Sequence, residues 1–223
     1  MSLRLFDPQQ VPVLRVDHHL PTVPAEHLSA AALRARLANP PAWTPELRRE
    51  PQFSDRAPAD AAVLMAIVDR PEPTVLLTQR TDHLSTHSGQ VAFAGGKCDP
   101  EDAHPAATAL REAQEEIGLD PQWVEVLGQL PTYFTGTQFH VTPVVALVDP
   151  RHQLEPNPHE VAHVFEVPLA FLMNPAHHRW HEVQFQGQTR QWLSMPYDDA
   201  GHLRFIWGAT AGMLRNFYRL LSA

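Results

Sequence analysis

Ala109-Leu110-Arg111-Glu112-Ala113-Gln114-Glu115-Glu116-Ile117-Gly118 gathers three carboxylates and one guanidinium on a short segment of strong helix formers. A helix turns about 100° per residue, so Glu115 and Glu116 bracket the direction of Glu112, while Leu110, Ala113 and Ile117 point to another side. One stripe is expected to bury itself and the other to stay acidic. Like charges at these spacings repel by roughly a few tenths of a kcal/mol per pair, a repulsion that a bound cation would reverse. The plain alternative is a solvated charged face, and the residues upstream bear on the choice.

Phe93-Ala94-Gly95-Gly96-Lys97 ends an apolar run with two consecutive glycines, where backbone can turn sharply and approach a ligand closely. Asp99, Glu101 and Asp102 follow. Asp102 is the expected N-cap of a helix beginning near Ala103, with Pro105 accommodated in its first turn, and Gly118 supplies the stop. A glycine loop, an acid-capped helix and a carboxylate face together form a unit suited to hold Mg²⁺ or Mn²⁺ against a phosphate.

From Gly96 to Leu119 the sequence resembles the Nudix box: glycine, five residues, glutamate, seven residues, then Arg-Glu-aliphatic-any-Glu-Glu-any-Gly-aliphatic. Two departures stand in the first half, where Asp102 replaces the glutamate and eight residues precede Arg111; in the second half Ala113 is small for its aliphatic position. The coenzyme A pyrophosphatase branch of the family is similar to the sequence as it stands, with Gly95-Gly96-Lys97-Cys98-Asp99-Pro100-Glu101-Asp102 ahead of Thr108 to Glu116. The same branch carries an upstream signature resembling Leu76-Leu77-Thr78-Gln79-Arg80 and His87-Ser88-Gly89-Gln90-Val91-Ala92-Phe93-Ala94-Gly95-Gly96, with Ala94 where proline is usual. Ile206-Trp207-Gly208-Ala209-Thr210 also looks like this branch, so the resemblance spans roughly residues 58 to 221.

The resemblance implies an α/β/α sandwich with a mixed sheet, and hydrolysis of coenzyme A or acyl-CoA to phosphopantetheine and adenosine 3′,5′-bisphosphate. It implies Glu112, Glu115, Glu116 and the Gly95 carbonyl as ligands of Mg²⁺ or Mn²⁺, with Arg111 bracing the carboxylates. Arg80, Gly96 and Lys97 are its candidates for substrate phosphate contact. A Nudix-fold module that binds a nucleotide-like effector without cleaving it is the alternative of a different class.

Composition agrees with a small-molecule enzyme. A chain of 223 residues, 43% hydrophobic and 19% charged, can bury a real core. A formal charge of -8 argues against a broad polyanion-binding surface, so long nucleic acid is not an expected partner, while a nucleoside diphosphate derivative can be met locally by Arg80, Lys97 and a cation. The start, Met1 to Pro8, carries no long apolar segment, and no apolar run is long enough for a membrane span. The only cysteine, Cys98, cannot form an intramolecular disulfide, which fits a cytoplasmic setting.

Residues 1–57 read as a proline-rich extension with one short helix over Ser29 to Ala38, packing on the domain or serving a homo-oligomer interface; residues 58–223 read as the catalytic domain. Ala61 to Val68 reads as a buried strand, paired through a turn at Asp69 to Pro73 with Val75 to Thr78. Val124 to Leu127 and Phe139 to Val148 read as further strands, with Pro143 marking an edge or bulge. Val183 to Gln186 and Thr189 to Leu193 flank Gly187-Gln188 as a second hairpin, and Gly208 to Leu221 closes the chain as an amphipathic helix. A mixed sheet with helices on both faces is the consistent architecture.

His159-Glu160-Val161-Ala162-His163 matches the zinc-protease pattern His-Glu-any-any-His, which needs a helix to converge its two imidazoles. Pro158, Pro168 and the β-branched residues between them favour an extended chain instead, which would set the histidines about 13 Å apart. The stretch Glu160 to Leu169 resembles a segment of the coenzyme A branch, and some Nudix enzymes draw an extra acid from a downstream loop. Glu160 is therefore the candidate for that acid, as a ligand or as the base that orients water.

Overall fold

Alternation along Ala59–Val68 divides its side chains between two cores, because successive strand residues point to opposite faces. Ala62, Leu64, Ala66 and Val68 join Ala109, Ala113 and Ile117 of the acidic helix on one face. Ala61, Met65 and Ile67 join Leu214 and Phe217 of the C-terminal helix on the other. A strand covered on both sides must be apolar at nearly every position, which explains the unbroken run in the sequence.

The computed structural model describes residues 7–52, 54–81, 89–185 and 188–223. In chain order the strands and helices are β1 (Val13–Val16), α1 (Ala30–Ala38), β2 (Ala59–Val68), β3 (Thr74–Arg80), β4 (Val91–Ala92), β5 (Ala94–Lys97) and α2 (Pro105–Ile117). They continue as β6 (Val124–Gln129), β7 (Tyr133–Phe134), β8 (Phe139–Val148), β9 (Val161–Pro168), α3 (Leu169–Leu172), β10 (Arg179–Phe185), β11 (Gln188–Asp199), β12 (His202–Trp207) and α4 (Gly208–Leu221). The result is α/β with a mixed sheet ordered β4-β3-β2-β8-β6, in which β2 and β8 run parallel over their full lengths. β5 pairs with β2, β7 with β8 and β9 with β3.

Ser29 caps α1 as its position suggests, its hydroxyl accepting from the Ala32 amide at 3.3 Å. At the start of α2 the cap is His104, not Asp102: its ring Nδ1 accepts from the Ala107 amide at 3.0 Å, and Pro105 takes the first helical position. Asp102 is drawn away by Arg111. Gly118 ends α2 in the left-handed conformation, φ +67°. Pro143 lies on an interior strand instead of an edge. Its carbonyl accepts from Leu130 N between the β6 and β7 pairings, so the missing amide hydrogen falls where one antiparallel partner gives way to the next.

The β2–β3 and β10–β11 hairpins are present. Gln188 belongs to β11, paired with Phe185, while Gly187 lies outside the described residues, as do His87 and Ser88. The β10–β11 hairpin is the centre of a second, antiparallel sheet, β1-β10-β11-β12, whose outer strands were not legible in the sequence. The first strand of that sheet comes from the proline-rich N-terminal segment, which also contributes the fully buried Leu33 to the core. Among the described residues no helix is long and apolar enough to cross a membrane.

Candidate active site

Glu112 and Glu116 lie one helical turn apart on α2 and face β5, where Gly95 and Gly96 make room for them. The two glycines answer different neighbours. A Cβ on Gly95 would stand 2.4 Å from the Ala62 carbonyl oxygen, and its φ of +156° is glycine territory. A Cβ on Gly96 would stand 2.5 Å from Cδ of Glu112, so Gly96 admits the carboxylate itself.

Glu116 is only 4% exposed. The Gly95 amide donates to its Oε2 at 3.1 Å and Arg80 Nη1 approaches Oε1 at 3.4 Å. Burial pushes its carboxyl up to about 7, and the nearby charges of Glu112 and Glu160 act in the same direction. Glu112 is raised by burial too, against the opposing effect of its Arg111 partner. Glu115, in contrast, is largely exposed and meets Arg111 Nη1 at 3.1 Å.

Arg111 is a fixed fork beneath this face. Nη1 reaches Glu112 at 3.0 Å as well as Glu115, Nη2 donates to the Lys97 carbonyl at 3.0 Å, and Nε and Nη2 hold Asp102 at 3.2 and 3.0 Å. Asp102 also accepts from the Thr108 hydroxyl and the Asp99 amide, both at 2.9 Å. Hydrogen bonding to Arg111 holds the Asp102 carboxyl far below the usual range. Anchoring the arginine is thus its structural task, and its place in the box where glutamate is usual was the available signal.

The segment between β8 and β9 brings in Glu160. Glu155 N donates to the Ile117 carbonyl and Asn157 N to that of Glu116, both at 2.9 Å, so the loop is fastened to the C-terminus of α2. Asn157 Nδ2 then donates to Glu160 Oε1 at 3.2 Å. Residues 161–168 are extended, so the helix required by the zinc-protease pattern is absent, and His163 sits opposite Gln79 in the β3–β9 pairing.

The sequence candidates therefore separate by environment. Glu112, Glu116, Glu160, Gly95, Gly96 and Arg80 converge, Arg111 joins them from below, and Glu115 and the Lys97 side chain remain exposed. Arg80 Nε is buried without a hydrogen-bond partner among the described residues. No three His, Cys, Asp or Glu side chains among the described residues are arranged to hold one ion as they stand. In this arrangement Arg111 occupies oxygens of Glu112 and Glu115. The donor chemistry nevertheless suits Mg²⁺ or Mn²⁺: all-oxygen ligands, two of them kept proton-hungry by burial and mutual repulsion.

Residues 58–206 match the NUDIX domain family. The chain is 44% identical over 155 residues to an uncharacterised Nudix hydrolase, NudL, of Yersinia enterocolitica, covering 70% of this chain and 77% of that one. It is 44% identical over 172 residues to a protein of the same description from Shigella flexneri, covering 77% and 85%. Among solved structures it is similar to the Nudix hydrolase RenU of M. smegmatis, with a TM-score of 0.43 and 26% identity over 50% of this chain and 71% of that one.

Proposed function

The chain belongs to the Nudix family, and from that premise we propose that it cleaves the pyrophosphate bond of coenzyme A or its acyl derivatives, yielding phosphopantetheine and adenosine 3′,5′-bisphosphate. Divalent-metal hydrolysis of pyrophosphate linkages is the general chemistry of the family. The choice of coenzyme A rests on the segments around Leu76 to Gly96, Gly95 to Glu116 and Glu160 to Leu169. The single Cys98 suits work in the reducing cytoplasm.

A bound Mg²⁺ or Mn²⁺ supplies positive charge that shields the diphosphate oxygens and acidifies the attacking water. Glu112, Glu115, Glu116 and the Gly95 carbonyl would hold it, with Arg111 fixing the orientation of the acids. Glu112 or Glu160 accepts the water proton as the new bond to phosphorus forms and the bridging P–O bond breaks. Arg80, Gly96 and Lys97 receive the substrate phosphates. The observation that carries this reading is the convergence of Glu112, Glu116 and Glu160 in a partly buried spot, where burial and the nearby charge of Glu160 raise the carboxyls of Glu112 and Glu116. Pure binding of an anionic nucleotide would gain nothing from such repulsion.

Incubation with coenzyme A and either metal, followed by chromatography of the products, tests it. Adenosine 3′,5′-bisphosphate is the expected product. Tight coenzyme A binding with no product in either metal would instead support the non-hydrolytic module.

A further inference from the structure

Away from the acidic helix, where the N-terminal segment crosses α4, an alternating row of charges runs Arg15, Asp17, Arg215, Glu46, Arg219. Arg215 and Asp17 are buried and meet at 2.9 Å. Arg215 Nε and Nη2 hold Glu46 at 2.8 and 3.1 Å, and Nη1 donates to His178 Nδ1 at 2.9 Å. Trp180 Nε1 takes up Asp17 as well, at 2.8 Å. The central guanidinium, Glu46 and the Oδ2 atom of Asp17 are thereby engaged.

The two ends of the row are not. Arg15 comes no nearer than 3.5 Å to Asp17 and Arg219 no nearer than 3.7 Å to Glu46, beyond good hydrogen-bond range for N–H donors. Arg15 lies over the Trp180 ring, its Cζ 4.3 Å from the centroid, a cation–π contact that holds the guanidinium in place. Both arginines line a cavity of about 510 Å³, together with Asp17, Glu46, Arg215, Thr44 and His19. Three arginines against two carboxylates leave one excess positive charge here, in a chain whose formal charge is -8.

We propose that this cavity binds a small tetrahedral oxyanion, a phosphate or phosphate monoester, between Arg15 and Arg219. Planar forks from two arginines suit a centre carrying several acceptor oxygens, and the two carboxylates beside them are already engaged by Arg215. The ligand bridges the N-terminal segment and α4, so its occupancy clamps residues 13–20 onto the domain. The site lies apart from Glu112 and Glu116, on the opposite side of the mixed sheet from α2.

Calorimetric titration of the full chain with inorganic phosphate in EDTA tests this at low salt. One saturable site is expected, weakened at least tenfold in the double variant Arg15→Gln/Arg219→Gln and unchanged in Glu116→Gln. Hydrogen exchange over residues 13–20 should slow on phosphate addition in the unaltered protein only. Absence of saturable binding, equal binding by the double variant, loss of binding in Glu116→Gln, or acetate binding as tightly as phosphate would each overturn the proposal.

Discussion

Glu116 is costly to the fold in the form that chemistry needs. Its carboxyl is raised from an ordinary 4.5 to about 7, so the folded state binds the proton more tightly than the unfolded one. The stability this gives is present below about pH 4.5 and is lost as pH rises through 7. Glu116→Gln should therefore stabilise the metal-free protein by about 3 kcal/mol at pH 8, measured by urea unfolding in EDTA, and by little at pH 4.5. The same change should cut pyrophosphohydrolase turnover by orders of magnitude. The neighbouring glycines separate site from fold in the same way. Gly96→Ala pushes on the Glu112 carboxylate, so activity should collapse while the melting temperature moves little. Gly95→Ala drives its methyl into the Ala62 carbonyl and should destabilise by roughly 3 kcal/mol or more.

At the scale of elements, α2 works because both its ends are tied to something. His104 closes its first turn, and Gly118 both stops it and gives passage to the loop that carries Glu160. A Cβ on Gly118 would stand 2.7 Å from Glu155 N, the group that donates to the Ile117 carbonyl. Gly118→Ala should thus cost about 1–2 kcal/mol from the left-handed backbone. It should also lower turnover with Glu112 and Glu116 still in place, a split that paired unfolding and kinetic measurements would expose. Of the stripe read from helical spacing, Leu110, Ala113 and Ile117, the last two are buried and Leu110 is half-buried at the margin, while Ala109 takes the central place beside them. Which residue capped the helix was not readable in that way. Asp102 is a good cap by type, but an arginine nine residues on outbids the helix end, and residue type alone does not report that competition.

Across the whole molecule, the N-terminal segment is built into the structure by buried charge. His178 accepts a hydrogen bond from Arg215 through Nδ1 and donates to the Leu172 carbonyl through Nε2, at 2.9 and 2.8 Å, which requires the neutral ring. Burial lowers it from 6.5 to about 4. The unfolded chain takes up the proton first, so the contribution is full above pH 6.5 and is lost as pH falls toward 4, about 3 kcal/mol in all. Unfolding measured between pH 7 and 4.5 in the Glu116→Gln background, where that residue's opposite trend drops out, should show stability falling with acidity. Replacing His178 by Gln should flatten the slope.

Periodicity, glycines and the spacing of the acids determined the mixed sheet, the acidic helix and its two-sided burial, because those features depend on near neighbours in the chain and on which faces must be apolar. Tertiary structure alone decided that β1 joins a second sheet, that Asp102 anchors Arg111, and that the loop carrying Glu160, more than forty residues on, is fastened to the end of α2 through Glu155 and Asn157. Those outcomes turn on pairings between distant segments, where a charge or a strand edge takes the best partner that folding delivers, and local pattern carries no record of which partner that is.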